Sequence, residues 1–100
     1  MLNIGKNIEN TEAVFKLEGR LDTVTAPELE DALQSCIGDL TDLTLDFEAL
    51  EYISSAGLRV LLAAQKLMNG KEGVMKLTGV NESIMDIFEV TGFSEILTIE

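Results

Sequence analysis

Two adjacent serines, Ser54 and Ser55, stand just before a long apolar run that begins at Leu58, and they are the residues of this chain best placed to do chemistry. A hydroxyl at the foot of a helix can attack as a nucleophile, accept a phosphate, or cap the helix by accepting a backbone N–H from the first turn. Attack needs a base. The chain contains no histidine, which removes the Ser-His-Asp and Cys-His arrangements and the commonest zinc ligand. A lysine is the remaining activator, and the nearest one downstream, Lys66, would stand about 16 Å further along the same helix axis. That distance rules out a serine–lysine couple and leaves two readings open, a plain N-cap and a phosphate acceptor. A phosphate on Ser55 would meet free N–H donors and the positive end of the helix dipole.

Other reactive types are sparse. Cys36 is the single cysteine, so no internal disulfide forms, and its place on an apolar helix stripe makes it a small core residue. Asp39, Asp42, Asp46, Glu48 and Glu51 lack the Asp-x-Asp-x-Asp-Gly spacing of a calcium loop and read as solubility; no metal or other cofactor is implied. Met68, Met75 and Met85 read as core filler. The 7 basic and 18 acidic residues leave a formal charge of -11, a field that repels nucleic acid and anionic membrane surfaces. No stretch of about 18 apolar residues offers a membrane span, and residues 1–10 do not read as a leader. We therefore expect a cytoplasmic protein with neither nucleic-acid binding nor membrane insertion.

The elements that must position the serines follow from periodicity. The chain is 46% hydrophobic and 25% charged, without repeats or Gly/Ser/Pro linkers, which predicts one domain over residues 1–100. Ala13, Phe15, Leu17, Gly19 and Leu21 alternate with Val14, Lys16, Glu18, Arg20 and Asp22, the pattern of a strand covered on one side only. A first helix is predicted from Thr25, with Thr25 and Glu28 at capping-box spacing, Pro27 in the first turn, and Gly38 as a left-handed stop. Leu43, Leu45 and Phe47 form a second core strand, followed by a turn-rich stretch. A second helix then runs from Ser54 or Ser55 to Gly70, the most buried of the domain, with Arg59, Gln65 and Lys66 as its exposed strip. Val74 to Val80 is a further strand. Asn81 caps a third helix that Gly92 ends, Ile96 to Ile99 closes the sheet, and Leu2 to Ile8 is an extra edge strand. Strands alternating with helices predict an α/β domain with a mostly parallel mixed sheet of four to five strands and helices on one face. In such a sheet the loops after Leu21 and Phe47 leave one rim, bringing Asp22, Thr23 and Thr25 toward Tyr52, Ser54, Ser55 and Gly57. Gly57 in a first helical turn costs roughly 1 kcal/mol relative to Ala, which we read as a demand for exposed backbone there.

The run Leu50-Glu51-Tyr52-Ile53-Ser54-Ser55-Ala56-Gly57-Leu58-Arg59-Val60-Leu61 closely resembles the signature of STAS domains, the family of sulphate transporters and anti-sigma factor antagonists. Gly19-Arg20-Leu21-Asp22, the helix start at Ala26-Pro27, and Val90-Thr91-Gly92-Phe93 resemble its other markers, so the similarity spans nearly the whole chain. The resemblance implies a non-enzymatic antagonist that captures an anti-sigma factor, itself a serine kinase, and frees the sigma factor. It implies phosphorylation at Ser55 as the off signal and a PP2C-type phosphatase as the reset. It also implies a partner-binding surface of Asp22, Thr23, Ser54, Ser55, Gly57 and Arg59. Ser54 stands where the best-studied antagonists carry an aspartate, and Ala56 where a second Ser or Thr is common. Asp22 matches the family's loop aspartate and is equally readable as a hydrogen-bonded turn residue. Two other assignments compete. One is a STAS adaptor for a transporter ATPase or signalling complex, without phosphorylation. The other is a response-regulator receiver using Asp46, which would need an acidic pair ending the first strand that this chain lacks.

Overall fold

The computed structural model describes all 100 residues. In chain order the elements are β1 (Leu2–Glu9), β2 (Glu12–Leu21), α1 (Ala26–Gln34), β3 (Asp42–Ile53), α2 (Ser55–Gly70), β4 (Val74–Thr78), α3 (Glu82–Thr91) and β5 (Thr98–Ile99). Single 3-10 turns cover Ile37–Asp39 and Phe93–Glu95. The five strands lie in the order β1-β2-β3-β4-β5; β1 pairs antiparallel and the others pair parallel.

The alternation in β2 produces the expected one-sided sheet. Ala13, Phe15, Leu17 and Leu21 are buried, as are Leu43, Leu45 and Phe47 of β3 and Met75 and Leu77 of β4, whereas Lys16 and Glu18 face solvent. Burying apolar area on that single face is the main stabilising force. From α3, Phe88 packs its ring 6.3 Å from that of Phe47 at an interplanar angle of 49°, a favourable tilted geometry. Helix α2 buries Leu58, Val60, Leu61, Ala64 and Met68 and is the most embedded of the three. The Cys36 thiol is half-buried against the core. No helix is long and apolar enough to cross a membrane.

Four expectations are corrected. Strand β3 continues through Ile53 instead of giving way to a turn-rich stretch. Its pairing with β2 shifts register between Lys16 and Glu18 and again between Gly19 and Arg20. The extra residues break the period of two, so Phe47, Leu50 and Ile53 become buried at steps of three. Helix α1 ends at Gln34, and Gly38 lies inside a 3-10 turn without a left-handed conformation. The carbonyls of Ile37 and Gly38 instead accept from Lys71 Nζ, each at 2.7 Å. Gln65 is buried at 5% exposure, because it falls on the inward row of Leu58, Leu61 and Met68. Its Nε2 donates to Asn69 Oδ1 at 2.9 Å, and its Oε1 has no partner. The last strand is only Thr98–Ile99. At α3 both end signals hold: Asn81 Oδ1 accepts from Ile84 N–H at 2.9 Å, and Gly92 adopts φ 82°.

Candidate partner-binding rim

Strands β2 and β3 finish side by side, with Leu21 paired to Ile53, and the Ser54 N–H donates to Leu21 O at 2.9 Å. That bond ties the start of α2 to the loop before α1. The rim anticipated from parallel pairing is therefore real, with Asp22 and Thr23 on one loop and Ser54 and Ser55 on the next turn of chain.

The two serines divide the work. Ser54 is the N-cap of α2 with extended backbone (φ -101°, ψ 175°), and its Oγ accepts from Gly57 N–H at 3.4 Å. Ser55 is the first helical residue, exposed, and its hydroxyl makes no intramolecular hydrogen bond. The capping role thus falls on Ser54 and leaves Ser55 free. Because the cap bond is long, Ser54→Ala should cost the lower part of the usual range, about 0.5–1 kcal/mol. Ser55→Ala should stay within about 0.5 kcal/mol. Urea midpoints of the two variants check this; an equal loss for Ser55→Ala would reverse the assignment.

Gly57 does not expose backbone, contrary to the reading of its helix-propensity cost. It is buried, and a β-carbon there would lie 2.8 Å from Ile53 Cγ1 and 2.8 Å from Leu21 Cγ. The glycine lets α2 approach the ends of β2 and β3. Arg59, one turn beyond Ser55, and Lys66 are exposed.

Asp22 organises its own loop. Its Oδ1 accepts from the N–H groups of Val24 and Thr25, each at 3.0 Å, and lies 3.1 Å from Thr25 Oγ1. The Thr25 hydroxyl, buried at 4% exposure, accepts from Asp22 N–H at 2.8 Å and lies 2.8 Å from Arg20 O. Thr25 therefore faces back into the loop, and the capping box with Glu28 does not form. The Thr25 backbone N–H is the main cause holding the Asp22 carboxyl below its ordinary value, with help from the Thr25 hydroxyl and Val24 N–H against some desolvation. A depressed folded-state value adds stability above the unfolded-state pKa of about 3.9, and that stability is lost as pH falls through the folded value. The gap in melting temperature between wild type and Asp22→Asn should hold from neutral pH to about pH 5 and close below about pH 4. A gap independent of pH would show that the carboxylate charge does not hold the loop.

The sequence placed Tyr52 on the rim, and two features escaped it, the contact of Arg20 with that ring and the exposure of Val24. The Arg20 guanidinium lies 4.3 Å from the centroid of the Tyr52 ring, its register partner, a cation–π contact worth about 0.5–1 kcal/mol at an exposed site. An outward residue next to the register irregularity carried the only signal. Tyr52 is 38% exposed, and Val24 projects from the Asp22 loop at 80% exposure. Hydroxyls, a carboxylate, a stacked guanidinium and an uncovered valine together form a surface suited to docking.

A mostly parallel α/β sheet, helices on one face and a small-residue rim at the strand ends define a class, and comparison with known proteins names it. The STAS domain family model matches residues 4–100. The anti-sigma-B factor antagonist of Staphylococcus aureus (strain NCTC 8325 / PS 47) is 30% identical over 99 residues, covering 98% of this chain and 92% of that protein. The crystal structure of an anti-sigma factor antagonist from Mycobacterium paratuberculosis superposes with a TM-score of 0.89 at 25% identity, covering 99% of this chain and 85% of that one. The Bacillus cell fate determinant SpoIIAA in its phosphorylated form superposes with a TM-score of 0.77 at 18% identity, covering 100% of this chain and 91% of that one. The chain belongs to the STAS domain family, the family of the anti-sigma factor antagonists.

Proposed function

We propose that this chain is a cytoplasmic anti-sigma factor antagonist switched by phosphorylation of Ser55. In its unphosphorylated form the rim of Asp22, Thr23, Ser54, Ser55 and Arg59 binds an anti-sigma factor that is itself a serine kinase, and the sigma factor is released. The kinase transfers the γ-phosphoryl group of ATP to Ser55 Oγ with release of ADP, and the complex comes apart. A PP2C-type phosphatase hydrolyses the phosphate and restores binding. The chain acts as a binding switch and not as an enzyme. Buried Gly57 serves this surface only by seating α2.

The observation that carries the reading is the free, exposed hydroxyl of Ser55 beside a neighbour that already caps the helix. A modification at Ser55 therefore leaves the cap in place. Aspartate is as good an N-cap as serine, so Ser54 keeps the capping role open to the aspartate of the best-studied antagonists. The relatives named anti-sigma-B factor antagonists support the class of partner.

Incubating the protein with its cognate anti-sigma factor kinase and ATP should label Ser55, read by mass spectrometry of the digested chain. Phosphate found only on Ser54, or on neither serine, would overturn the switch.

A further inference from the structure

The unmodified rim leaves one guanidinium unengaged. Arg59 is exposed and makes no hydrogen bond or ion pair; the single ion pair of the structure joins Lys76 and Glu100. Two of the other cations are occupied. Arg20 lies over Tyr52, and Lys71 holds the carbonyls of Ile37 and Gly38. Arg59 follows Ser55 by one helical turn, at the i,i+4 spacing within α2. Residues so spaced have β-carbons about 5–6 Å apart. Long side chains on a helix also lean toward its N-terminus, over the turn that carries residue i. The reach and direction of Arg59 are therefore those of a group covering Ser55.

We propose that Arg59 is the intramolecular partner of a phosphate on Ser55. The guanidinium donates N–H groups to the phosphate oxygens, a planar fork matched to that acceptor, and holds the phosphate along the first turn of α2. This rests on the reading of Ser55 as the modified residue. Modification then alters the rim twice: it adds about 1.5–2 negative charges, and it engages the cation that the unmodified rim presents to a partner. The charged groups gathered there are the Met1 amino group, whose charge reaches the Asp22 carboxyl, Arg20 and Asp22 from the end of β2 and its loop, and Arg59 from α2. Arg20 and Arg59 are thus the two guanidinium groups to be told apart.

The test uses full-length protein with phosphoserine installed at position 55 during translation, so no kinase is needed and the result does not depend on whether a kinase modifies Ser55. The second pKa of the phosphate, ordinarily about 6, is followed by ³¹P NMR titration. Arg59→Gln should raise it by about 0.2–0.4 of a unit, Arg59→Lys should restore part of the shift, and Arg20→Gln should leave it unchanged. In about 1 M salt, where screening falls to about 3 Å, the difference should shrink. Equal values in the parent phosphoprotein and Arg59→Gln would overturn the proposal, as would a shift that follows Arg20 instead. Amide spectra of the unmodified variants confirm that this exposed position leaves the fold intact.

Discussion

Phosphorylated protein should bind the anti-sigma factor between about 100-fold and several thousand-fold more weakly than unmodified protein, with no loss of folding stability. The two halves of this expectation have different physical origins. In the free domain the phosphate stands at the N-terminus of α2, where unpaired N–H groups and the helix dipole favour negative charge, so the melting temperature holds or rises slightly. In the complex the same group is pressed against a protein surface. One guanidinium offsets only part of a charge of nearly two, and burying the uncompensated remainder costs on the order of 3–5 kcal/mol, which is the stated range of affinity. Ser55→Asp carries one charge instead of nearly two and should give a smaller loss, and Ser55→Ala should bind constitutively. Calorimetric titration against the kinase, paired with thermal melts, separates the two effects. Binding of phosphoprotein within about threefold of the unmodified form would sink the switch, and a collapse of the melt would mean that the phosphate acts on the fold instead.

The rim was legible in the sequence because its logic is topological. Once β2 and β3 are read as parallel core strands, the segments following them have to meet, and the bond from Ser54 N–H to Leu21 O joins the start of α2 to the end of β2, next to the Asp22 loop. The alternation of β2 and the cap and stop at Asn81 and Gly92 were equally plain, since each depends on a few neighbouring residues. What stayed hidden depends on tertiary neighbours or on a register of one residue. Which serine caps α2 turns on where the helix begins, and two adjacent serines carry no local signal to decide it. The end of β3 was obscured by register shifts that replace a period of two with a spacing of three. Gly38 looked like a helix stop, but Lys71, distant in sequence, takes the carbonyls there. Asp22 was readable either as a partner contact or as a turn residue, and its hydrogen bonds to Val24 and Thr25 show the turn role directly. Its second carboxylate oxygen makes no intramolecular hydrogen bond.

Gly57 supplies the strongest test of how the fold holds this rim, because two explanations of the glycine predict opposite signs. If the residue were there to expose backbone, Gly57→Ala would stabilise the protein by roughly 1 kcal/mol through helix propensity. The structure predicts a loss. An added β-carbon would sit 2.8 Å from Ile53 Cγ1, 2.8 Å from Leu21 Cγ and 3.1 Å from Leu21 Cδ2. Both neighbours are core residues, at 2% and 0% exposure, and they close β3 and β2, so neither has room to withdraw. Overpacking of this kind costs about 1–3 kcal/mol. Gly57→Ala, with its propensity gain subtracted, should lose about 1 kcal/mol, and Gly57→Leu should lose about 3 kcal/mol or more. For a domain of this size each kcal/mol lowers Tm by roughly 4–8 °C, so the larger variant should melt well below wild type. The least costly relief is for α2 to move outward, which lengthens the bond from Ser54 N–H to Leu21 O and carries Ser55 away from the Asp22 loop. Affinity for the anti-sigma factor should therefore fall in Gly57→Ala even at a temperature where the variant remains folded. A Gly57→Ala protein that is more stable than wild type would overturn the packing account and restore the exposed-backbone one.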